Sequence, residues 1–124
     1  MHLRPSGKRP QDEVPPLLET LEVVKGPLIM LGDFNLDSRH PVFEEAKKKL
    51  GLQDLFKHGE KTSLKMKKRE LAHAYDNMWF RGFTPLNQRV INLFDAFPEI
   101  DPSTIYKQLS DHCPIEGSFA TEQN

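Results

Sequence analysis

Leu28-Ile29-Met30-Leu31-Gly32-Asp33-Phe34-Asn35 is an apolar run that ends abruptly in charge. Four apolar residues in a row read as a short strand, Leu28 to Asp33, with apolar side chains on both faces and hence cover expected on both sides. Gly32 lets the backbone turn sharply where the strand stops. Asp33 and Asn35 are two residues apart, so strand geometry puts both side chains on one side if the strand persists that far. A carboxylate there can orient or deprotonate a water, and an amide beside it can donate to a phosphate oxygen. The plain alternative is a polar turn after a strand.

Two further motifs lie downstream. Ser110-Asp111-His112-Cys113-Pro114-Ile115 sets a carboxylate beside an imidazole. The carboxylate can help hold Mg²⁺. The imidazole can exchange protons or, when charged, pair with phosphate. Ala74-Tyr75-Asp76-Asn77-Met78-Trp79-Phe80 reads as an aromatic-rich strand, and Asp76 is a candidate to orient His112 from it. Alone, Ser-Asp-His is a capping turn with a surface histidine. Cys113 reads as a core residue rather than a reactive thiol.

These three motifs, in this order, resemble the endonuclease/exonuclease/phosphatase superfamily, the DNase I-like metal-dependent phosphodiesterases. The resemblance covers roughly residues 2 to 119. It implies that Asp33 and Asn35 handle the attacking water and the phosphate. It also implies that Asp111 contributes to an Mg²⁺ (or Mn²⁺) site, that His112 is catalytic and that Asp76 pairs with it. Ser-Asp-His-Cys-Pro-Ile is similar to the ending of abasic-site endonucleases in that superfamily. His2-Leu3 resembles the His-Leu that closes the family's central strand, which makes His2 a further catalytic candidate, against its plain reading as a chain terminus.

A complete domain of this kind is about twice as long, and its first half supplies an early Asn and the main metal-ligand Glu. The implied fold is therefore α+β, the C-terminal half of the DNase I-like four-layer α/β sandwich, truncated. Residues 1–124 form one partial domain, with 1–16 an irregular N-terminal segment. The implied activity is Mg²⁺-dependent phosphodiester hydrolysis as part of a complete domain, with the isolated half inactive. The alternative is a non-catalytic fragment or interaction module with a vestigial site. A half domain would also leave a sheet face uncovered, with Leu28, Met30, Met78 and Phe80 as candidates to face water, and so invite self-association or docking.

The remaining sequence fits that frame. The 124 residues allow one domain with one modest core, and net charge −1 gives no global attraction to nucleic acid. A local basic segment exists at Lys57, Lys61, Lys65, Lys67, Lys68 and Arg69. It reads either as a solvated loop or as a contact for a nucleic-acid or other phosphodiester backbone. The single cysteine permits no internal disulfide, and residues 1–5 show no signal-like apolar region, so an intracellular (nuclear or cytoplasmic), non-secreted protein is expected. No stretch has the length of a membrane span. Pro15-Pro16 suits a helix start with Leu17, Leu18, Leu21 and Val24 at helical spacing, and Gly26-Pro27 stops it. A second helix is expected over 41–50. A last strand is expected over Pro114–Phe119, while Val90–Phe97 is open between strand and helix. Trp79, Arg81 and the segment 82–109 lie where superfamily members with different substrates diverge.

Overall fold

Met30 and Trp79 face each other across two antiparallel strands, 7% and 0% exposed, and the main core is built on that pair. The structure is a computed structural model and describes residues 9–122. The expected first strand is present as β1, Leu28–Asp33, and pairs with β3, Asp76–Arg81. A two-residue strand, β2 (Gln53–Asp54), adds to the other edge of β3, giving the order β1-β3-β2.

Helices cover one face of this sheet. Helix α1 spans Pro10–Leu21, so it begins five residues earlier than the sequence suggests, and residues 10–16 are helical rather than irregular. Pro10 occupies the first turn, where a missing N–H costs nothing, but Pro15 and Pro16 lie inside the helix. Each removes a bond to the carbonyl four residues back. Burial offsets this: Val14 is fully buried and Leu18 nearly so, each worth roughly 1.5–3 kcal/mol. The expected second helix is shorter than drawn, a 3₁₀ turn at Pro41–Phe43 followed by α2, Glu44–Lys48. It still places Phe43, Ala46 and Leu50 in the core. Phe43 stacks on Trp79 at 4.9 Å and meets Phe34 edge-on at 5.9 Å.

The opposite face packs on a second sheet of β4 (Phe83–Val90) and β5 (Ile115–Thr121). The expected last strand is thus present, while β4 is not evident from its composition. Pro85 and Asn87 are poor strand residues, and the register slips between them, which an edge strand tolerates. Ile115 and Phe119 of β5 pack with Val90 against Phe80, Leu55, Phe56 and Met78. Gly117 lies between them in the alternation. A Cβ there would come within 2.6 Å of Leu55 Cδ2, so glycine sets the spacing between the sheets.

Cover on β1 is one-sided. Met30 is buried, but Ile29 and Leu31 on the other face are 36% and 52% exposed. Phe80 is also buried, and Leu28 and Met78 are half-buried, so the water-facing apolar residues are Ile29 and Leu31 instead of the four expected.

The ambiguous stretch after β4 resolves into helix. Leu93–Ala96 (α3) is capped by the Asn92 side chain, which accepts from Phe94 N–H. Pro102–Thr104 (α4) runs into a π-helical turn at Ile105–Leu109. A separate cluster of Leu64, Leu93, Phe94, Ile105 and Cys113 fastens this segment to residues 62–73. The architecture is α+β. No helix among the described residues is long and apolar enough to cross a membrane.

Candidate active site

Asp33 ends β1 and Asp76 begins β3, and the register sets them directly opposite each other. Two carboxylates at facing positions repel. An imidazole between them removes the conflict when it is protonated, and His112 stands there. Its Nδ1 lies 2.6 Å from Asp76 Oδ2 and its Nε2 3.5 Å from Asp33 Oδ2. The side chains are 24%, 13% and 12% exposed for His112, Asp76 and Asp33, enough for water to reach the site.

The loop that carries His112 is held by backbone bonds. Cys113 N–H donates to Thr62 O at 2.6 Å and Leu64 N–H to Asp111 O at 2.8 Å, and Ser63 bridges His112. Ser110 Oγ accepts from His112 N–H at 3.0 Å, so the serine shapes the turn. Asp76 is fixed as firmly. Thr62, fully buried, donates from Oγ1 to Asp76 Oδ2 at 2.5 Å and accepts from Asp76 N–H at 3.1 Å. Thr62 is a site residue that the sequence reading missed. Its signal in the sequence is weak, a lone Thr in a lysine-rich loop.

These surroundings set the charge on His112. The hydrogen bond to Asp76 raises its pKa above the ordinary histidine value. Burial opposes this, and the negative charges of Asp76, Asp33 and Asp111 add to the rise. The shift is toward the imidazolium form, in which Nδ1 donates to Asp76. Burial pushes the Cys113 thiol up, which fits a core role.

Asn35 reaches the site by a different route from the one its spacing suggests. The strand stops at Asp33, and Phe34 turns inward, 1% exposed, its N–H donating to Tyr75 O. Asn35 takes a left-handed φ of 53°, and its N–H donates to Asp33 Oδ1 at 2.9 Å. Asparagine tolerates that conformation better than most residues. The Asp-x-Asn pattern therefore works here as a turn that locks the Asp33 carboxylate, and the two-residue strand period does not apply.

Asp111 is exposed and lies outside the cluster of Asp33, Asp76 and His112, whose ligand atoms fall within 4.8 Å of one another. That cluster does not fit Mg²⁺ well. The ion wants six oxygens in a regular octahedron, and Asp76 Oδ2 is already engaged by Thr62 and His112. The arrangement is a hydrogen-bonded line, Thr62–Asp76–His112, with the Asp33 carboxylate 3.5 Å beyond the imidazole. His2 lies outside the described residues.

Two residues expected to vary with substrate turn inward. Trp79 is fully buried. Arg81 donates to the carbonyls of Val24, Gly26 and Leu50, and so ties both helix-to-strand loops to the sheet. Arg69 of the basic segment is likewise committed. It donates to the carbonyls of Phe94, Phe97 and Ile100 and sits over the Phe94 ring.

Comparison with known proteins adds no relative: no family model, no curated protein and no solved structure matches the chain.

Proposed function

We propose that this chain carries one half of a phosphodiester-hydrolysing site, acting within a complete domain of the endonuclease/exonuclease/phosphatase type. The observation that carries the reading is the line Asp76–His112–Asp33, an imidazole held between two facing carboxylates at a strand end. In this reading Asp33, locked by the Asn35 turn, takes the proton of an attacking water. The water oxygen joins phosphorus as the ester P–O bond breaks, and the leaving oxygen is protonated from solvent. His112, whose proton Asp76 helps to hold, draws the phosphate oxygens toward Nε2 when it is charged. Asn35 offers its side-chain amide to the same phosphate.

A divalent cation, Mg²⁺ or Mn²⁺, would neutralise charge on the phosphate, and the exposed Asp111 is the ligand this chain would offer it. A four-layer sandwich in which the described elements form one half belongs to the same proposal. The poor fit of the described cluster to Mg²⁺ favours a second reading, a module that binds phosphodiesters without cleaving them.

One experiment separates the two. Cleavage of a labelled oligonucleotide in Mg²⁺ is measured for the chain, for Asp33→Ala and for His112→Gln, with EDTA as control. Cleavage by the unsubstituted chain that both substitutions and EDTA abolish supports hydrolysis. Cleavage equal in all samples rejects the roles of Asp33 and His112. No cleavage in any sample is what an isolated half predicts, and the phosphate site is then rejected if His112→Gln binds the same oligonucleotide as tightly as the unsubstituted chain.

A further inference from the structure

Directly beside His112 an apolar cleft of about 450 Å³ opens to the surface. Buried Leu93 and Cys113 and the more exposed Phe97, Leu109 and Pro114 line it, together with Ser110 and His112. Phe97 and Leu109 are 38% and 54% exposed, a large apolar surface to leave in water. The site already described makes no use of this cleft.

The basic segment is attached to the same wall. Residues 63–72 fold back on themselves through a Leu64–Leu71 bridge, and Lys65 N–H donates to Glu70 O. Arg69 then binds the carbonyls of Phe94, Phe97 and Ile100, which fixes this hairpin beside the cleft. Of the cations at 57–69, Lys65 is paired with Glu70 at 2.7 Å and Arg69 is held by carbonyls, which leaves Lys57, Lys61, Lys67 and Lys68 to face a backbone. All five lysines are exposed.

Resting on the phosphodiesterase reading, we propose that the cleft is a nucleobase subsite for single-stranded nucleic acid, with the lysine hairpin tracking the adjoining backbone. A base has a flat apolar face for the Phe97 ring. It is joined to its phosphate through a sugar, so a phosphate at His112 brings the neighbouring base to the cleft mouth. Several cations along a hairpin match a chain of phosphates better than a single anionic group. Aromatic platforms beside cationic tracks are the common design for strands held without sequence preference. An acyl chain would also suit the apolar walls, but it offers the lysines only one headgroup.

Binding is measured by fluorescence anisotropy in EDTA, where nothing is cleaved. The probes are a labelled ten-nucleotide DNA, the same backbone built from base-free residues, and phosphatidylserine/phosphatidylcholine vesicles. Phe97→Ala is expected to weaken DNA binding about five- to a hundred-fold and leave the base-free strand unaffected. Leu109→Ala, a milder change in the same cleft, is expected to shift binding in the same direction. Lys67→Gln with Lys68→Gln is expected to weaken both strands alike and to flatten the salt dependence. Three results overturn the subsite: DNA binding unchanged in Phe97→Ala, equal loss on the base-free strand, or a Phe97 effect confined to vesicles. Cleavage that survives Asp33→Ala sinks the hydrolytic reading instead, so the two failures are distinguishable.

Discussion

Replacing Asp76 by Asn keeps the shape of the side chain and removes its charge, and its consequences can be worked out from the contacts. Asp76 Oδ2 receives Thr62 Oγ1 at 2.5 Å and lies 2.6 Å from His112 Nδ1. Hydrogen bonds to a charged group contribute roughly 1.5–3 kcal/mol each. The asparagine oxygen can stand where Oδ2 stands and accept from both partners, but both bonds then lose their charge assistance. The substitution also relieves repulsion with Asp33, but facing charges on paired strands are worth only about 0.2–1 kcal/mol. Loss wins, and Asp76→Asn should destabilise the fold by about 1–3 kcal/mol below pH 6.

The pH dependence is the sharper signature. The raised pKa of His112 means that the folded state holds its proton more tightly than the unfolded chain does. The stability this confers is fully present below the unfolded histidine value of about 6.5 and is lost as pH rises through the folded value. Asp76→Asn removes the largest cause of the shift, so the stability difference between the two proteins should shrink as pH rises. Urea unfolding from pH 5 to 9, with His112 followed through its Cε1–H resonance, measures both quantities. A His112 titration that does not move in Asp76→Asn would refute the argument, as would a stability difference independent of pH.

Other contacts make equally definite claims. Gly82 has φ +78°, and a Cβ there would sit 2.8 Å from the Pro27 Cα, so Gly82→Ala should cost about 1–3 kcal/mol in thermal or urea unfolding. Phe43→Ala removes a ring packed between Phe34 and Trp79 and should cost about 3–5 kcal/mol by the same assay. Arg69→Lys keeps the charge but not the fork that reaches three carbonyls, so it should speed amide exchange at 93–100 while leaving that of β1 and β3 unchanged.

The meeting of Asp33, Asp76 and His112 was more legible in the sequence than the fold around them. β1 was legible because four apolar residues before Gly-Asp leave few other readings. Asp76 and His112 were legible as partners, and the structure brings them within 2.6 Å. Asn35 was legible as a position but not as a geometry, because a strand period cannot foresee a residue that turns left-handed to cap its neighbour. The start of α1 was hidden by Pro15 and Pro16, whose local preference against a helix interior is overridden by the burial of Val14. β4 was hidden because an edge strand takes its stability from pairing with β5, not from its own composition. The roles of Trp79 and Arg81 needed tertiary information: only the packing shows an indole buried in the core and a guanidinium bonded to three carbonyls. Thr62 was missed for the same reason, since its importance lies wholly in the carboxylate it meets.

The central claim is that Asp33, Asn35 and His112 act together on a phosphate. The most direct test titrates the chain with a short phosphorothioate oligonucleotide while the His112 ring and the Asn35 side-chain amide are followed by NMR. The account predicts that both signals shift together, that the His112 pKa rises further, and that His112→Gln weakens the shift at Asn35. Shifts confined to the lysine hairpin, with His112 and Asn35 unmoved at saturation, would contradict it.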